Sequence, residues 1–135
     1  MLHEVVAAMI VQSNKILLGQ RAPDRDFYPD VWDMFGGHVE PGEAHEGTLA
    51  RELQEELGIT PTEWRFLETL TVPIPETSEE MIVHLFLVTA WNGTPFNRQP
   101  EEHSIIHWFN LEEVSQLKLA DPIYPALFAR YLESD

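Results

Sequence analysis

Residues 36–59, GGHVEPGEAHEGTLARELQEELGI, decide how this chain is read. Pro41-Gly42 marks a turn. Apolar residues then recur at helical spacing, which predicts a helix over 44–57 that Gly58 stops. Counting about 100° per residue from Glu52, Glu55 falls near −60° and Glu56 near +40°. Leu49, Leu53, Leu57 and Ala50 occupy the arc from about 60° to 160°. One face is thus a leucine stripe suited to packing on a sheet, and the adjoining face is a carboxylate cluster. Like charges one turn apart cost about 0.2–0.5 kcal/mol per pair, so the cluster needs a compensating partner. Taken alone, the face also reads as solvated acid with Arg51 as the i,i+4 partner of Glu55.

The flanking loop adds a second reading. Gly36-Gly37 and Pro41-Gly42 let backbone approach a ligand closely and leave a carbonyl exposed. Hard divalent cations take carboxylate and carbonyl oxygens, and Mg²⁺ is commonly shared among a few carboxylates, waters and substrate phosphates. A loop carbonyl followed by clustered Glu on a rigid helix supplies that set.

Around this segment the chain alternates strands and helices. "EVVAAMIVQ" and "KILLGQR" read as strands joined at "SNK", and "APDRDFYPD" as a loop broken by Pro23 and Pro29. A short strand at "VWDMF" runs into a loop at Gly36-Gly37. "WRFLETLTV", "MIVHLFLVTAW" and "SIIHWF" are further strands. Asn110 is placed to cap a short helix "LEEVSQL", and a last helix runs from about Tyr124 to Glu133. The class is α/β or α+β.

Bulk composition bounds the function. With 135 residues and 44% hydrophobic content, the chain suits one packed domain. Eight Lys and Arg face 23 Asp and Glu, a net charge of −15. That argues against a polynucleotide partner, which needs a basic footprint, but not against small phosphorylated ligands carried by a cation. There is no cysteine, so thiolate nucleophiles and Cys-based zinc sites are excluded. No basic n-region or membrane-length apolar run opens the sequence, and the expectation is a cytoplasmic protein with no membrane partner. Six histidines raise the question of zinc. His103 and His107 share i,i+4 spacing but lie on an expected strand, about 13 Å apart, too far to hold one ion. His38 and His45 border the acidic segment as loop and helix-start residues.

Gly37, five residues, Glu43, seven residues and then RELQEELGI resembles the Nudix box, Gly-x5-Glu-x7-Arg-Glu-apolar-x-Glu-Glu-x-Gly-apolar. Gly37, Glu43, Arg51, Glu52, Leu53, Glu55, Glu56, Gly58 and Ile59 all match, a coincidence on the order of one in a hundred million per start position. The resemblance implies an α-β-α sandwich with a mixed, curved sheet, a single domain over 1–135 with its box at 37–59, and Mg²⁺- or Mn²⁺-dependent hydrolysis of a phosphate anhydride. It implies metal ligation by the Gly36 carbonyl, Glu52, Glu55 and Glu56, with Glu52 activating the attacking water and Arg51 and Glu43 orienting the cluster.

Similarity to the mutator-type (MutT-like) branch adds Glu102 as a carboxylate from outside the box, and Arg21 as a substrate contact. Phe35 stands where many relatives have Pro; its ring either stacks on a base or enters the core. Asp121 either reads the base edge or caps the last helix. The implied partner is a small nucleotide, with the chain a monomer or homodimer. The implied reaction is nucleoside triphosphate pyrophosphohydrolysis, extending to oxidised or non-standard nucleotides. ADP-ribose or nucleotide-sugar hydrolysis, hinted at by Pro75, and a non-catalytic nucleotide-sensing domain are the alternatives. Isopentenyl diphosphate isomerisation in this fold family needs a cysteine that the chain lacks.

Overall fold

The computed structural model describes residues 3–23, 30–74 and 77–132. Strand β1 (His3–Gln12) organises it. Its side chains alternate across the sheet, as the strand period of two requires. Val6, Ala8 and Ile10 enter one core, and Val5, Ala7 and Met9 enter another on the opposite face. β1 turns back into β2 (Lys15–Arg21) through Ser13 and Asn14, both at positive φ, with Gln12 paired to Lys15. That two-residue turn has the twist hairpins favour.

The short strands β3 (Trp32–Asp33) and β4 (Phe35–His38) follow. Helix α1 (His45–Leu57) ends at Gly58, which adopts the left-handed conformation with φ 70°. A long antiparallel pair, β5 (Thr60–Pro73) and β6 (Glu80–Asn92), comes next. Strand β7 (His103–Phe109) leads into the short helices α2 (Leu111–Val114) and α3 (Tyr124–Ala129). The sheet path is β3-β2-β1-β6-β5, with β4 also on β1 and β7 on β2. Only the β1–β6 pairing is parallel among the strand pairs described, so the sheet is mixed.

Both faces are covered. On one, Leu49, Leu53 and Leu57 of α1 pack on Val6, Ala8, Ile10, Phe86 and Val88. On the other, Val114, Leu127 and Phe128 meet Val5, Met9, Leu18 and Leu85. This is the layered arrangement expected, with differences at the edges. Gly36-Gly37 is not a loop but part of β4, with Gly36 opposite Ala7 and Gly37 opposite Val6. Gly36 has φ 150°, and a Cβ there would land on the carbonyl of Val6. The glycine pair therefore extends the sheet at a place no side chain fits, a pattern that reads as a breaker in sequence. The last two helices are also shorter than their apolar spacing indicates. Asn110 caps α2 through a reciprocal capping box with Glu113.

Leu53 is fully enclosed at the centre of the α1 core. Leu53→Ala is expected to lower the urea-unfolding free energy by about 2–5 kcal/mol, with an unchanged denaturant slope.

Candidate active site

Arg51, on the α1 face toward β4, holds several acidic side chains at once. Its Nε donates to Glu43 Oε2 at 2.9 Å and its Nη2 to Glu43 Oε1 at 3.0 Å, a bidentate pair. Nη1 donates to Glu52 Oε1 at 2.8 Å and more loosely to Glu55 at 3.4 Å, while Nη2 also reaches the His38 carbonyl at 3.0 Å. Glu43 accepts in addition from the Thr48 hydroxyl and the Glu40 amide. The Arg51 hydrogen bonds, then Thr48, hold the Glu43 carboxyl down to about 2. Hydrogen bonding to Glu43 likewise keeps Arg51 firmly charged.

Glu52 and Glu56, one turn apart, turn inward. Glu56 is only 4% exposed and accepts from the Gly36 amide at 3.2 Å. Burial, and next the charge and hydrogen bond of Glu52, push the Glu56 carboxyl well above the carboxylate range; Glu102 adds to the push. Glu52 and Glu56 therefore crowd one spot, with Glu102 near enough to add to the repulsion, and without a cation Glu56 takes a proton. Gly37 makes the crowding possible, because a Cβ there would lie 2.5–2.7 Å from the two Glu52 oxygens.

The cluster opens onto a cavity of about 400 Å³. Glu52, Glu56, Glu102, Arg51 and Arg21 contribute its charged wall, and Val5, Ala7, Met81 and Val83 an apolar one. Asp33 and Tyr124 also line it. Burial of its carboxyl pushes Asp33 up to about 6, and nearby Asp121 adds to this. The Met34 amide, Arg21 and the Tyr124 hydroxyl act in the opposite direction.

The donor set fits a hard divalent cation. It offers two inward carboxylates, a third from the β7 side and the backbone of a glycine pair, and a cation there would relieve the repulsion between Glu52 and Glu56.

The NUDIX domain family model matches residues 1–131. The chain belongs to the Nudix hydrolase family. A CTP pyrophosphohydrolase of Escherichia coli is 38% identical over 128 residues, covering 93% of this chain and 89% of the relative. An 8-oxo-dGTP diphosphatase of the same organism is 32% identical, covering 76% and 78%. The crystal structure of a MutT Nudix hydrolase from Burkholderia pseudomallei superposes with a TM-score of 0.78 at 28% identity, covering 84% of this chain and 86% of that one.

The structure gathers Glu52, Glu56 and Arg51 of the Nudix box around the cavity with Gly36, which immediately precedes it, and brings Glu102 to them from further along the chain. Glu43 braces Arg51 and is not among the cavity-lining residues. Glu55 points outward, with its side chain 48% exposed against 15% for Glu52. Arg21 lines the cavity. Phe35 is in the core at 1% exposure, its ring against His103 and close to Gly19, and it borders the cavity. Asp121 accepts from the Ile123 amide at 2.9 Å in the turn that leads into α3, and it does not line the cavity. Pro75, the residue behind the ADP-ribose alternative, lies outside the described residues. Asp33 and Tyr124 are polar cavity residues that sequence reasoning missed, and the apolar wall of Val5, Ala7, Met81 and Val83 was missed as well. The signal available for Asp33 was a lone acid inside the apolar stretch "VWDMF".

Two outcomes follow from this geometry. Glu56 is buried, so its ionisation costs far more than surface repulsion between helix neighbours. Its folded-state pKa lies above the ordinary 4.5, so in EDTA stability should fall as pH rises above that value. Glu56→Gln should flatten the fall, gaining about 1–3 kcal/mol at alkaline pH in urea unfolding, while turnover is lost. Gly37→Ala pushes only on the flexible end of Glu52. It should leave the melting temperature nearly unchanged yet lower kcat about 100-fold, measured by steady-state kinetics.

Proposed function

We propose that this chain is a Mg²⁺- or Mn²⁺-dependent nucleoside triphosphate pyrophosphohydrolase, acting on free nucleotides in the cytoplasm and releasing pyrophosphate. The observation that carries the reading is the convergence of Glu52, Glu56 and Glu102 on a cavity that also has an apolar wall. The charged part suits a cation and phosphates, and the apolar part suits a base.

A divalent cation held by the Gly36 carbonyl, Glu52, Glu56 and Glu102 would neutralise phosphate charge and make a water more acidic. Glu52, fixed through Oε1 by Arg51, takes the proton of the attacking water. Arg51 stays charged and keeps that carboxylate aimed, with Glu43 holding the guanidinium from behind. Arg21 supplies positive charge toward the phosphates. The apolar surface of Val5, Ala7, Met81 and Val83 excludes water from the base. Asp33, with a pKa of about 6, can accept from or donate to the base edge near neutrality, and Tyr124 sets its orientation. The names of the relatives, one a CTP and another an 8-oxo-dGTP enzyme, support triphosphates as the class. Modified bases remain within the proposed range.

A phosphate-release screen of canonical and oxidised nucleoside triphosphates tests this. Phosphate should appear only when inorganic pyrophosphatase is added, and EDTA should abolish it. In the same screen Asp33→Asn, which keeps an acceptor for the Met34 amide, should change the kcat/KM ratio between preferred and disfavoured bases about ten-fold. Turnover of ADP-ribose or nucleotide sugars, with none of any triphosphate, would overturn the assignment.

A further inference from the structure

Three side chains distant in sequence meet on the α1 side of the sheet. Glu4 comes from β1, His45 is the first residue of α1, and His84 comes from β6. His84 Nε2 lies 2.7 Å from Glu4 Oε2, and His45 Nε2 lies 3.5 Å from the same oxygen. The two imidazoles stack with centroids 3.8 Å apart and planes 22° apart. One ligand atom from each residue falls within 4.8 Å of the others. None of the three lines the nucleotide cavity. His45 precedes Glu52 by seven residues, which puts it about 10 Å along the helix from the carboxylate cluster.

Hydrogen bonding ties His84 to Glu4, whereas His45 has the ring stacking on His84 and a 3.5 Å contact too long to be a strong bond. An ion would engage all three. Metal–nitrogen and metal–oxygen distances of about 2.0–2.2 Å at tetrahedral angles separate ligand atoms by about 3.3–3.5 Å. The observed 2.7 and 3.5 Å straddle that value, and the two stacked rings must splay apart for both Nε2 atoms to face one ion, a movement open to His45 at the half-exposed start of α1. Support from a second tier is already in place. Thr69 Oγ1 lies 3.1 Å from His84 Nδ1, and a hydroxyl can accept from that nitrogen once Nε2 is turned to a metal. Two imidazole nitrogens and one carboxylate oxygen, with no thiolate, form the donor set of a Zn²⁺-class ion with one position open. Mg²⁺ prefers oxygen, so the two sites would sort cations by ligand type.

We propose that Glu4, His45 and His84 form a second cation site, selective for Zn²⁺ and ions of similar preference, which clamps the first turn of α1 to β1 and β6. The site is independent of the hydrolytic reading.

Co²⁺ reports on it directly, because a four-coordinate cobalt ion gives a visible absorption band. Whole protein in excess Mg²⁺ should develop that band on Co²⁺ addition and lose it to Zn²⁺. His45→Asn and Glu4→Gln should abolish it, Thr69→Val should weaken Co²⁺ binding about ten-fold, and Glu56→Gln should leave it intact. Circular dichroism establishes that each variant is folded; His45 is half-exposed at the helix start, so its replacement should be well tolerated. Absence of the band in the unmodified protein overturns the proposal. So does unchanged affinity in folded His45→Asn or Glu4→Gln, or loss of the band in Glu56→Gln.

Discussion

The guanidinium of Arg51 is the interaction on which the site depends. A planar fork can satisfy two oxygens of one carboxylate and still reach a third partner, which an ammonium group cannot do with fixed direction. Here it grips Glu43 on both oxygens, aims Glu52 and takes the His38 carbonyl at the end of β4. Helix, preceding loop and strand are thereby locked in one register. The leucine stripe fixes how α1 lies on the sheet, and Arg51 fixes how its carboxylates face the cavity.

That arrangement works against stability. Glu56 is surrounded by protein, next to Glu52 and near Glu102, and the fold gains nothing from keeping three acids together. Packing must offset the cost, and two well-filled cores do so, one on each face of a strand that alternates strictly between them. The conflict between local electrostatics and the global fold is confined to the place where chemistry is proposed to occur, as expected of functional sites.

Features set by neighbours in sequence were legible from the start. The α1 helix, its glycine stop and the hairpin at Ser13-Asn14 rest on local spacings, and the structure places them where spacing puts them; of the carboxylate face, Glu52 and Glu56 turn inward and Glu55 outward. What depended on distant partners was not legible. Gly36-Gly37 looks like a loop until β1 is seen to demand a strand without side chains there. Asp33 lines the cavity together with Tyr124, a hydrogen-bond partner brought from the far end of the chain. His45 and His84 stack across thirty-eight intervening residues, whereas the regularly spaced His103 and His107 lie on one strand, the first buried and the second exposed. Phe35 was readable as core or as a base platform, and the structure buries it in the core at the edge of the cavity.

The parallel seam between β1 and β6 sets the order in which these parts assemble. It places His3 opposite Met81 and Ile10 opposite Val88, so the whole box and the β5 strand lie in the loop that its pairing closes. The β5–β6 pair, whose register runs inward from its own turn, closes a much shorter loop. Loop-closure entropy therefore makes the seam a late and slow event in refolding. The cavity, which takes Val5 and Ala7 from one side of the seam and Met81 and Val83 from the other, is complete only after that step. Recovery of ligand binding should accordingly lag behind recovery of helix and hairpin structure when the unfolded chain is returned to native conditions.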